Sequence, residues 1–144
     1  MGMMRRQNFL VAAGTGFAGI GLAIALGAAV PTDINAGIFS VAQSDRGAVV
    51  YATHCAACHG VTLNGGAAPT LNGPFWTSWS GRSVGELYQL VQGSMPQDAP
   101  SSLSDADYAA VVAHMLKTGG YPAGPADLPP TPEALAAIKI GPHP

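Results

Sequence analysis

The chain has 144 residues, 48% of them hydrophobic and only 10% charged, with a formal net charge of −2. Its six Lys and Arg residues form no basic patch, which argues against nucleic acid as a partner. The two cysteines exclude a disulfide framework, and the stretch after residue 43 is long enough for one small domain of about 100 residues.

Arg5 and Arg6 precede an uncharged run from Phe9 to Val30. A positive start followed by an apolar segment is the layout of a secretory signal, and Ala23-Ile24-Ala25 and Gly27-Ala28-Ala29 offer small-residue cleavage sites. Retained as a helix, the same run would span about 33 Å, enough to cross a hydrocarbon core of ~30 Å. Either outcome puts everything C-terminal to it on the outer side, because Arg5 and Arg6 stay in the cytoplasm. Residues 1–43 are therefore read as signal or membrane anchor plus linker.

A first helix is expected from a Ser44 cap, with Asp45 at the first helical position, to Cys55. Gly47, Tyr51 and Cys55 share one of its faces at four-residue spacing. Next comes Cys55-Ala56-Ala57-Cys58-His59, which reads as a c-type haem attachment site. Two thiols three positions apart lie on one side of a helical turn and can form thioethers with two vinyl groups along one haem edge. His59 then falls under the iron. Two other readings compete. A thiol redox pair normally sits at a strand-to-helix junction, and no strand pattern is present. A zinc site needs two further ligands, and His54 and His59 crowd the cysteines too closely for a tetrahedron.

Residues 60 to 82 are rich in Gly, Asn, Ser and Thr and read as a long loop. Ser83-Val84-Gly85-Glu86 is a capping box opening a second helix that stops near Gly93. Met95-Pro96 follows in a Pro-rich loop. Ser104 caps a third helix whose apolar face is Tyr108, Val111, Val112, Met115 and Leu116, with Leu103 and Tyr108 as a hydrophobic staple, and Gly119-Gly120 ends it. Residues 121 to 130 are expected to run extended along the surface, and Thr131-Pro132 to open a short last helix through Ile138.

A second axial ligand is sought in Met95, which lies between two helices with Pro96 stiffening the backbone behind it. Met115 fits the core face of the third helix better, His114 beside it is a rival, His54 is too near the attachment site to reach the far side of a haem, and His143 sits in the tail. Trp76 and Trp79 could pack on a haem and donate to a propionate, or simply fill the core. Arg82 could pair with a propionate or be solvated. Tyr51 and Tyr108 are assigned to packing the first helix against the third, with Gly47 allowing the close approach.

A helix entering Cys-x-x-Cys-His, a loop, a helix, a Met-Pro and a final amphipathic helix resembles the class I c-type cytochromes over roughly residues 45–120. Ala68-Pro69-Thr70-Leu71, Phe75-Trp76, Ser94-Met95-Pro96 and Gly120-Tyr121-Pro122 are similar to the cytochrome domains attached to, or partnered with, bacterial quinoprotein alcohol dehydrogenases. The resemblance implies an all-α small cytochrome c fold: three main helices around one haem c bound through Cys55 and Cys58, a haem domain over 44–120, and a Pro- and Gly-rich extension over 121–144. It also implies His59 and Met95 as iron ligands and a Pro69 carbonyl that accepts a hydrogen bond from the His59 ring.

The expected role is outer-sphere transfer of single electrons, outside the cytoplasm, in a soluble protein or one tethered by residues 9–30. The donor would be a periplasmic dehydrogenase and the acceptor a cytochrome, a quinone or a terminal oxidase. A ligand-binding sensor or peroxidase-like enzyme with an open or labile sixth site is the alternative. Sparse surface charge favours a close-fitting or permanently held partner over electrostatic steering.

Overall fold

The computed structural model describes residues 31–142. The expected N-terminal signal or anchor helix and His143 lie outside these residues. Among the described residues there are helices, two isolated bridges and no strand, and no helix is long and apolar enough to cross a membrane. A 3-10 turn over Ile34–Ala36 precedes α1 (Val41–His54), α2 (Ala56–His59), α3 (Pro74–Trp79), α4 (Val84–Ser94), α5 (Asp105–Thr118) and α6 (Pro132–Leu135). The three long helices α1, α4 and α5 are those expected from the sequence.

The first boundary differs from expectation. Ser40, not Ser44, caps α1 and accepts from the Gln43 N–H at 3.0 Å. Ser44 is one turn inside, and its hydroxyl donates to the Val41 carbonyl at 2.9 Å. Both serines fit the residue preference of a cap, and only the backbone separates them. Ile34, Ile38 and Phe39, in the stretch read as linker, are buried in the core.

The closest packing is between α1 and α5. Gly47 makes it possible: a Cβ there would stand 1.8 Å from the Ala110 carbonyl oxygen. Val111, Val112 and Leu116 of α5 are buried beside it. At the ends of α4 and α5 the expected caps are present. Ser83 and Glu86 form the reciprocal capping box, and Ser104 accepts from the Asp107 N–H at 3.1 Å. Hydrogen bonding to Ser83 is the main reason the Glu86 carboxyl is held below its ordinary range.

Residues 121–130 run without helix or strand and mostly exposed, as expected, but the C-terminal segment is anchored at intervals by buried side chains. Tyr121, Leu128, Leu135, Ile138 and Ile140 are buried. The Gln43 side chain clamps Leu128 from α1, donating to its carbonyl at 2.9 Å and accepting from its N–H at 2.7 Å. Further along, Val84 N–H donates to Ile138 and Gly81 N–H to Ile140, and Lys139 bridges both Asp33 and Ser83. The tail thus ties the first described residues to the start of α4. Asp127 accepts from Ser40 and Arg46 at the surface, and the Ser40 hydroxyl is the first cause of its depressed carboxyl titration.

Two outcomes are expected. Gly47→Ala gains ~1 kcal/mol of helix propensity but forces two backbones apart, an overpacking cost of ~3 kcal/mol or more. Chemical denaturation followed by circular dichroism will show a net loss of about 2–3 kcal/mol. The second concerns His114, half-buried on α5 with its ring 5.4 Å from that of Tyr51. Burial first, then Lys117, lowers its titration below the ordinary 6.5, while Asp45 opposes. In this window the unfolded chain binds more protons, so stability is unaffected above pH 6.5 and declines as pH falls below it. His114→Gln will flatten the denaturation midpoint between about pH 6.5 and 5, above the range where carboxylates dominate.

Candidate functional site

Cys55 breaks the helical path: its φ of −125° and ψ of −35° end α1, and α2 starts at the next residue. The attachment motif therefore occupies its own short helix. Gly60 follows with φ of 79°, a left-handed value that favours glycine, and a Cβ there would meet the Gly65 carbonyl oxygen at 2.6 Å. The chain then folds back over α2 through backbone bonds. Gly65 N–H donates to His59 at 2.9 Å, Ala68 N–H to Cys58 at 2.9 Å, and Leu71 N–H to Leu63 at 2.8 Å.

This return places the Pro69 carbonyl oxygen 2.8 Å from His59 Nδ1. A carbonyl only accepts, so Nδ1 carries the proton and Nε2 keeps the lone pair that can bind a metal. His59 is buried, and both it and Pro69 line a cavity of about 840 Å³. That lies towards the upper end of the ~300–1,000 Å³ typical of cofactor sites. Cys55, Cys58 and Met95 line the same cavity. Its walls are mainly apolar: Leu71, Phe75, Leu87, Val91, Val111 and Met115.

Met95 is the residue at which α4 stops. Its carbonyl accepts from the Tyr108 hydroxyl at 2.8 Å, and the Tyr108 hydroxyl oxygen in turn accepts from the Leu103 N–H at 3.3 Å. Tyr51, from α1, donates in the same way to the Gly60 carbonyl at 2.7 Å, beside His59. Both tyrosines were read from the sequence as helix packing alone. Their buried phenols also hold the backbone next to His59 and Met95, a role no local pattern announces.

Trp76, Trp79 and Arg82, expected beside the cofactor, are not in the cavity wall. Trp76 is fully buried behind Phe75, edge-on to Tyr121, with its Nε1 packed against Gly119 and lacking an acceptor. Arg82 lies over the Trp79 ring at 3.8 Å and reaches Glu86 at 3.5 Å. The six-residue helix α3 turns both indoles into the core, which is the reading of them as core filling. Met115 lines the cavity as well as the core. His114 does not line it, while His54 does, at its exposed mouth.

The chemistry of these groups selects among the sequence alternatives. Burial first, with Cys58 adding to it, pushes the Cys55 thiol up to about 11. Reactive redox thiols are shifted the other way. For zinc, no three of His, Cys, Asp and Glu come together as a metal site among the described residues. A large apolar cavity with two thiols, a correctly protonated imidazole and a thioether fits a haem.

The family comparison agrees. A family model described as cytochrome c oxidase, cbb3-type, subunit III matches residues 42–115. No curated protein matches the sequence. Among solved structures, the sulfane dehydrogenase SoxCD from Paracoccus pantotrophus is similar, at 25% identity and a TM-score of 0.49. The alignment covers 71% of this chain and 53% of that one, so the likeness spans about half of the larger chain. With more than half of its length matched, the chain belongs to the cbb3-type subunit III family and is a class I c-type cytochrome, an electron-transfer haem protein.

Proposed function

We propose that the chain carries one haem c, attached through Cys55 and Cys58 with His59 and Met95 as axial ligands, and passes single electrons from a periplasmic dehydrogenase to a cytochrome, a quinone or a terminal oxidase. The observation that carries this reading is the shared cavity: His59 and Met95 come from separate elements, yet both line it together with the two thiols. When bound, the haem supplies an iron that alternates between two oxidation states one charge apart.

The protein's part follows from its own atoms. Pro69 fixes the His59 tautomer and leaves Nε2 to the metal. Met95 offers a soft thioether, which favours the reduced metal. Tyr108 holds the Met95 backbone in place. The apolar wall excludes water, while exposed Cys58 and Ala57 mark a mouth through which an electron can pass. Were His59 and Met95 both to hold the haem iron, no place would be left for a substrate, as a carrier requires. The family takes its description from an oxidase subunit, in keeping with a respiratory acceptor. The proposed location is the periplasm, with residues 9–30 acting as export signal or as tether to the outer face of the cytoplasmic membrane.

The test is an absorption spectrum, oxidised and reduced, of protein exported in a host that attaches haem. Wild type will be low-spin with the far-red sulfur–iron band, and Met95→Ala will lose that band and bind carbon monoxide. A wild type that is high-spin and binds carbon monoxide readily would instead indicate a sensor or a peroxidase-like enzyme, and a colourless protein would remove the haem altogether. Tyr108→Phe will keep the haem but loosen Met95. Loss of one hydrogen bond, worth ~1 kcal/mol, raises the population with a detached thioether roughly fivefold, read as earlier bleaching of the sulfur–iron band on heating.

A further inference from the structure

We propose that Asp98 sets the reduction potential of this site, holding it lower than the ligands alone would. The inference rests on the haem reading above. Asp98 is the one carboxylate in the cavity wall, and no Lys or Arg lines that wall. The cations of the described residues are engaged elsewhere. Arg46 pairs with Asp127, Lys117 with Asp45, and Arg82 with Glu86 and the Trp79 ring. Lys139 lies in the tail, where its backbone bridges Asp33 and Ser83. The carboxylate on the wall therefore has no Lys or Arg beside it there, and His54 and His59 are the only imidazoles in the lining.

Its position is set by the backbone. Ala99 N–H donates to the Pro96 carbonyl at 2.9 Å, closing a turn that contains Asp98 immediately after Met95. Tyr108 holds the start of that turn through the Met95 carbonyl. Reduction adds one electron from a one-electron donor and makes or breaks no bond, so the charge of the site falls by one. A negative side chain facing the site stabilises the more positive, oxidised form and lowers the potential. Asp98 is exposed, so bulk salt screens the effect.

Spectroelectrochemical titration of the exported, haem-loaded protein tests this, comparing wild type with Asp98→Asn, Asp98→Glu and Glu133→Gln. Glu133→Gln removes the same charge at an exposed position of α6, outside the cavity. Asp98→Asn is expected to raise the midpoint potential. At a fixed solution potential in low salt, the ratio of reduced to oxidised protein rises roughly threefold, the order of one partly screened charge. The difference shrinks towards 1 M salt, where the screening length falls from ~30 to ~3 Å. Asp98→Glu returns to the wild-type value and Glu133→Gln stays there. An Asp98→Asn protein with an intact sulfur–iron band and an unchanged potential overturns the proposal. So does a shift matched by Glu133→Gln or by Asp98→Glu. A wild type without a haem spectrum would instead remove the reading on which the proposal stands.

Discussion

The crossing of α1 over α5 at Gly47 is the constraint on which the site depends. Two helices whose backbones meet, with room for no more than a hydrogen at position 47, form a rigid pair. Each then extends one tyrosine to a carbonyl beside a candidate ligand: Tyr51 from α1 to Gly60 next to His59, and Tyr108 from α5 to Met95 itself. The spacing between the two walls of the cavity is thus referred to a single helix contact. Burial pushes the Tyr51 phenol up to about 12, with Cys55 adding to it, so it remains a donor across the physiological range.

What could be read from the sequence was local chemistry. The attachment motif, the capping box at Ser83 and Glu86 and the cap at Ser104 each occupy a few adjacent residues, so each is legible without long-range packing. α4 and α5 follow from those caps and from the apolar face of α5, and α1 from the spacing of Gly47, Tyr51 and Cys55, though its cap lies one turn earlier than expected. Ligand candidates were reachable because soft donors are scarce in a chain with two cysteines and five methionines.

The remainder was hidden because long-range packing decides it. Ile34, Ile38 and Phe39 fall in the stretch that reads as linker until their burial is seen. α3 is six residues long, begins after Gly73 without a side-chain cap, and falls in a stretch whose composition reads as loop. Its placement turns Trp76 and Trp79 away from the cavity, which their sequence spacing alone could not decide. The tail is rich in Pro and Gly, yet four buried isoleucine and leucine side chains and the Gln43 clamp secure it.

The return of the chain over α2 is secured almost wholly by main-chain bonds. Between Gly60 and Thr70 the side chains of Val61, at 82% exposure, and of Thr62, Asn64 and Ala67 are exposed, and the one hydrogen bond among them, from Asn64 to Thr62, does not involve His59 or the main-chain bonds that position it. Scaffold and surface are therefore separable in this loop. A lineage can rewrite those positions to change what the protein touches while leaving the imidazole where it is, and an engineer can use the same positions to attach the protein to an electrode.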